Sequence, residues 1–131
     1  MSKKILIVED DLRLKITYDT IFSQAGFTVL RAQDGEEGLR IARAEQPDII
    51  LLDMTMPKMD GLEFLRNFDV KNSHPETKII VFSNMMQAET TKQAYELGAT
   101  RYEVKATFSP KELAQLVNET LAAKPDSTPT A

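Results

Sequence analysis

A chain of 131 residues, 42% of them apolar, is long enough to bury one core and too short for several. Twenty acidic against sixteen basic residues give a formal charge of −4, and no lysine or arginine block follows a phosphate backbone, which argues against direct nucleic-acid binding. Zero cysteines exclude disulfides and thiolate metal sites; the opening MSKKILIVEDD is too short in apolar residues for a signal-peptide core and no later run approaches membrane-spanning length, so a cytosolic chain is expected.

In chain order, short apolar runs alternate with segments of helical period. KILIV (4–8) predicts a strand, 11–25 a helix, FTVLR (27–31) a strand and 34–46 a helix. DIILL (48–52), a helix over 62–72, KIIVFS (78–83), a helix over 86–97, RYEV (101–104) and a helix over 109–122 complete five strands and five helices. Ile5–Val8, Ile49–Leu52 and Ile79–Phe82 do not alternate polar with apolar, as befits strands buried on both faces of a parallel sheet. On the first helix, 100° per residue gathers Leu14, Tyr18, Ile21, Phe22 and Ala25 into a stripe roughly 80° wide that should face the sheet. Leu12 and Ile16 fall on the opposite side and should be exposed. Asp11 and Asp34 are helix caps by position, Gly26 and Gly98 follow helix ends, and Ser109-Pro110-Lys111-Glu112 orders a cap, a first-turn proline and a capping-box glutamate. The ending AAKPDSTPTA lacks an apolar period, so residues 1–122 are expected to form the domain and 123–131 a loose tail.

Alternating strands and helices of this kind make an α/β doubly wound parallel sheet, flavodoxin-like, with order 2-1-3-4-5. Ligands bind such sheets beyond the carboxyl ends of the strands, where the winding direction reverses. The residues there are Glu9 and Asp10 after the first strand, Asp53 after the third, Ser83 and Asn84 after the fourth, and Lys105 after the fifth. Three carboxylates crowded at adjacent strand ends need a cation. Oxygen ligands without His or Cys point to Mg²⁺, with Asp10 and Asp53 as ligands and the Thr55 carbonyl as a third.

At these residues the chain resembles the receiver domain of bacterial response regulators, the CheY-like superfamily, over about residues 4 to 122. The matching pieces are ILIVEDD, LLDMTMPKMDG, IIVFS and YEVK, in order and spacing. The resemblance implies that Asp53 accepts a phosphoryl group from a phosphohistidine on a sensor histidine kinase or phosphotransfer protein, with Glu9 and Asp10 holding Mg²⁺. It implies further that Lys105 is a phosphate partner, Ser83 the hydroxyl that follows the phosphoryl group, and Tyr102 an aromatic switch. The expected protein is a stand-alone receiver of a two-component system: a phosphoacceptor assisting its own phosphorylation and dephosphorylation, rather than an enzyme, that signals to another protein. Two positions depart from the family's pattern. Ala106 follows Lys105 where proline is usual, and Asn84 is larger than the alanine or glycine common after the switch hydroxyl, which would hinder access to the phosphoryl group.

Other readings compete. An aspartyl-phosphate phosphohydrolase would want a second acid near Asp53, where position 55 is threonine, and a flavin or nucleotide binder would want a glycine-rich loop where this chain has EDD. A pure protein-interaction module would bind its partner without phosphorylation. Met54, Met56, Met59, Met85 and Met86 read as gap-filling side chains, and His74, the only histidine, as an exposed loop residue. Leu12 and Ile16, spaced i, i+4 beside the acidic loop, are expected to dock a helix of the phosphodonor.

Overall fold

The computed structural model describes residues 3–56, 58–84, 87–105 and 108–122. Its elements are β1 (Lys4–Val8), α1 (Leu12–Gln24), β2 (Thr28–Ala32), α2 (Gly35–Glu45), β3 (Ile49–Asp53), α3 (Gly61–Phe68), α4 (Val70–Ser73), β4 (Lys78–Ser83), α5 (Ala88–Glu96), β5 (Arg101–Val104) and α6 (Pro110–Ala122). The strands form one parallel sheet in the order β2-β1-β3-β4-β5, as expected, so the winding reverses between β1 and β3. Since α4 is a single turn, five longer helices alternate with the five strands.

Strand periodicity divides the buried side chains into two layers. Leu6, Val8, Ile50, Leu52, Ile79 and Val81 pack with Leu39 and Ala42 of α2, Phe64 and Phe68 of α3 and Ala94 of α5. On the other face Ile5, Ile7, Ile49, Leu51, Ile80 and Phe82 pack with Tyr18 and Phe22 of α1 and with Leu113, Leu116 and Val117 of α6. The central strands are thus covered on both sides, which explains their unbroken apolar runs. Each fully buried side chain of this size stabilises the fold by about 1.5–3 kcal/mol.

Local chemistry sets the helix limits. Asp11 accepts from the N–H groups of Arg13 and Leu14 at 2.9 and 3.3 Å, Asp34 from Glu37 at 2.9 Å and Asp60 from Glu63 at 2.9 Å. At α6 the capping box closes reciprocally: Ser109 N–H donates to Glu112 Oε1 at 3.0 Å and Glu112 N–H to Ser109 Oγ at 3.2 Å. Gly98 follows α5 with φ 107°, a conformation that L side chains avoid, and a Cβ there would collide with Val70 of α4.

Three sequence expectations are corrected. The helix expected over 62–72 is interrupted at Asp69, which takes φ 53°, ψ 56° and ends α3 with its N–H on Leu65 O at 3.1 Å before α4 begins. No glycine or proline marks that break, and the apolar period runs through it. His74 is only partly exposed, because its ring stacks on the buried Phe68 with centroids 4.0 Å apart and planes 6° from parallel. Ala25 is exposed and caps α1 rather than joining its buried stripe, whereas Tyr18 and Phe22 are buried and Leu14 and Ile21 pack partly against the sheet.

Candidate functional site

The β1 ladder runs one residue past the strand, with Glu9 N–H on Ala32 O at 3.1 Å, and period two puts the Glu9 side chain on the same face as Ile7. Asp53 ends β3 two residues after Leu51 and shares that face. The loop after it is pinned, since Met54 N–H donates to Phe82 O at 2.8 Å and Gly61 N–H to Met54 O at 2.9 Å. Lys105, just after β5, reaches back so that Nζ lies 3.1 Å from Glu9 Oε1 and 3.1 Å from Asp53 Oδ1. Two carboxylates only 2% and 4% exposed therefore share one ammonium. Backbone donors supplement it: Asp11 N–H reaches Glu9 Oε2 and Thr55 N–H reaches Asp53 Oδ1, each at 3.2 Å.

The exposed Asp10 completes the acidic set, and one carboxylate oxygen from each of Glu9, Asp10 and Asp53 lies within 4.8 Å of the others. Burial, and then the charge of Asp53, pushes the Glu9 carboxyl up to about 7. Burial opposes the Lys105 ammonium, but Asp53 and Glu9 outweigh it and raise the pKa. An all-oxygen donor set with more anion than one lysine balances suits a hard divalent cation that keeps some of its waters; the residues present fit Mg²⁺.

The other expected residues lie where strand period sends them. Ser83 follows Phe82 and so shares the opposite face of the sheet with Val81; it is 8% exposed. Tyr102, paired in register with Val81, is on that second face too, its ring buried and its N–H donating to the Tyr95 hydroxyl at 3.1 Å. Asn84 and Thr55 are exposed, as are Leu12 at 65% and Ile16 at 52%. Met54 and Met56 fill the core beside α3, with Met59 partly buried against them. Met85, Met86 and Ala106 lie outside the described residues.

One neighbour of the site escaped the sequence reading. Tyr18, assigned there to the buried stripe of α1, lines a small cavity together with Glu9 and Asp53. The signal was available: position 18 is two helical turns past the cap Asp11, and helical side chains lean back toward the N-terminus, which at α1 is the site.

Residues 5–118 match the response regulator receiver domain family. The chain is 32% identical over 124 residues to sporulation initiation phosphotransferase F of Bacillus subtilis, covering 95% of this chain and 98% of that protein. It is 32% identical over 120 residues to chemotaxis protein CheY of Thermotoga maritima, covering 91% and 98%. With the probable transcriptional regulator ycf27 of Cyanophora paradoxa the identity is 38% over 112 residues, but the match spans 86% of this chain and only 45% of that protein, less than half its length. The solved chemotaxis protein CheY4 of Vibrio cholerae superposes with a TM-score of 0.84 at 28% identity, covering 92% of this chain and 99% of that one. No helix among the described residues is long and apolar enough to cross a membrane. A doubly wound sheet with buried acids and a lysine at its strand ends agrees with the match over residues 5–118: the chain belongs to the response regulator receiver domain family.

Proposed function

We propose that Asp53 is the phosphoacceptor of a two-component signalling switch, taking its phosphoryl group from a histidine kinase or histidine phosphotransfer protein in the cytoplasm. The observation that carries this reading is the bridge of Lys105 at 3.1 Å from both Asp53 and Glu9, which holds a nearly buried carboxylate beside a cation and a second acid. An Asp53 oxygen attacks the donor phosphorus, the phosphorus–nitrogen bond breaks, and the electron pair leaves with the imidazole, which takes up a proton. Protein catalysis of such a transfer is chiefly positioning and charge neutralisation. Glu9, Asp10, Asp53 and the Thr55 carbonyl would hold Mg²⁺, which when bound offsets the repulsion between the carboxylate and an anionic donor.

Once Asp53 carries the group, the new oxygens compete for Lys105 and for the Ser83 hydroxyl. Ser83 and the buried Tyr102 share a face, so a pull on Ser83 acts on the space beside that ring and on α5. Because Tyr102 is already buried, phosphorylation in this reading locks the inward ring rather than drawing it in. Signal passes to a downstream protein rather than directly to nucleic acid, a reading that the excess of twenty acidic over sixteen basic residues supports. Exposed Leu12 and Ile16 receive the phosphodonor beside the acidic loop. Support also comes from the two relatives matched over nearly their whole length, one a phosphotransferase by name and one a chemotaxis protein.

The test is incubation with acetyl phosphate and Mg²⁺ followed by intact mass. The wild type should gain one phosphoryl group and Asp53→Asn none; a gain that persists in the variant overturns the assignment.

A further inference from the structure

Between α1 and the site lies a cavity of about 10 Å³ lined by Glu9, Tyr18 and Asp53 together with the apolar Ile7, Leu51 and Phe82. That volume is close to what one water needs, and the polar groups needed to hold it are the two carboxylates and the phenol. Tyr18 is only 8% exposed as a residue, but no sealed side-chain oxygen among the described residues lacks a partner, so its hydroxyl, which bonds to no other described residue, opens onto space that a water can enter. A phenol so placed takes a water as its partner, its ring staying in apolar packing while its hydroxyl stays wet. Burial, and then the charge of Glu9, raises its pKa, which keeps it a neutral donor.

Glu9 is the acceptor that lacks security. Its Oε1 depends on Lys105, the same ammonium that Asp53 uses, and its Oε2 on the Asp11 N–H. Any event that turns Lys105 toward Asp53 leaves a nearly buried carboxylate short of a partner, and an unpaired buried charge is expensive.

We propose that Tyr18 is a positioning residue of the acidic site, its hydroxyl donating to Glu9 from beneath through a water in the shared cavity, so that Glu9 stays oriented for a cation when Lys105 turns away. This rests on the reading of Glu9 as a cation ligand, and it assigns to α1 a hydroxyl where the fold needs only a buried apolar group.

The probe is Mg²⁺ alone, titrated by calorimetry into the full-length wild type, Tyr18→Phe, Glu9→Gln and the double variant. Tyr18→Phe keeps the ring and removes the donor, so the melting temperature of the metal-free protein should change little while Mg²⁺ binds roughly threefold to tenfold more weakly, as expected for a bond to a charged group relayed by water. On the Glu9→Gln background the same change should have no further effect, because Tyr18 acts through Glu9. Unaltered affinity in Tyr18→Phe, or equal losses on both backgrounds, overturns the proposal. A wild type that binds no Mg²⁺ overturns it along with the metal reading, whereas Mg²⁺ binding without phosphorylation of Asp53 sinks only the phosphoacceptor reading and leaves Tyr18 in place.

Discussion

Glu9 carries an electrostatic cost in the metal-free protein, and that cost has a sign that can be measured. Its folded-state pKa is raised from 4.5 to about 7, so between those values the folded chain holds a proton that the unfolded chain has released. Stability from this group is therefore fully present below about 4.5 and declines as pH rises through 7. Lys105 behaves as the usual cation with a raised pKa: its contribution is present below 10.5 and is lost only above that. Glu9→Gln leaves Lys105 paired with Asp53 and removes the repulsion between the acids. In chelator, urea unfolding should find the variant more stable than wild type by roughly 1–2 kcal/mol at pH 8 and nearly equal to it at pH 4.5. A variant less stable at pH 8 would mean that the Lys105–Glu9 pair outweighs the burial cost. At this scale the acids and the lysine were legible in the sequence because strand ends in this architecture are few and their charges conspicuous. It concealed His74 and Tyr18, whose settings depend on a ring from another element and on a cavity between elements.

Among the elements, α1 serves both sides of its own axis. Its buried face supplies Tyr18 and Phe22 to the sheet, while Leu12 and Ile16 stand in solvent beside the acidic loop. If that pair receives the donor protein, replacing both with serine should leave the melting temperature and acetyl phosphate labelling unchanged and slow transfer from the cognate kinase about tenfold or more, the loss of one or two apolar anchors. Transfer at the wild-type rate would exclude the docking role. The phase of α1 was legible because its residues alternate in character around the axis. The division of α3 from α4 was not, since Asp69 adopts a left-handed conformation that its sequence neighbours do nothing to announce. Caps were the most readable element boundaries, because each is a local bargain between one side chain and an N–H two or three residues on.

For the molecule as a whole, the topology was accessible because unbroken apolar strands must be covered on both faces and right-handed crossovers leave few ways to do so. We propose residues 1–122 as the folding unit, since α6 already buries Leu113, Leu116, Val117 and Thr120. A chain ending at Ala122 should melt within about 2 °C of the full length, the shift expected when no buried group is lost; a larger fall would give residues 123–131 a structural part. The sheet also acts as a partition. Glu9, Asp53 and Lys105 work on the side of α1 and α6, while Ser83 and Tyr102 belong to the side of α3 and α5, reached by the single-residue step from Phe82 to Ser83. If α1 receives the donor and the Tyr102 side speaks to the target, as proposed, substitutions accumulating on α1 retune which donor is heard without altering the output surface, and gene duplicates of such a chain are free to rewire their inputs and outputs one at a time.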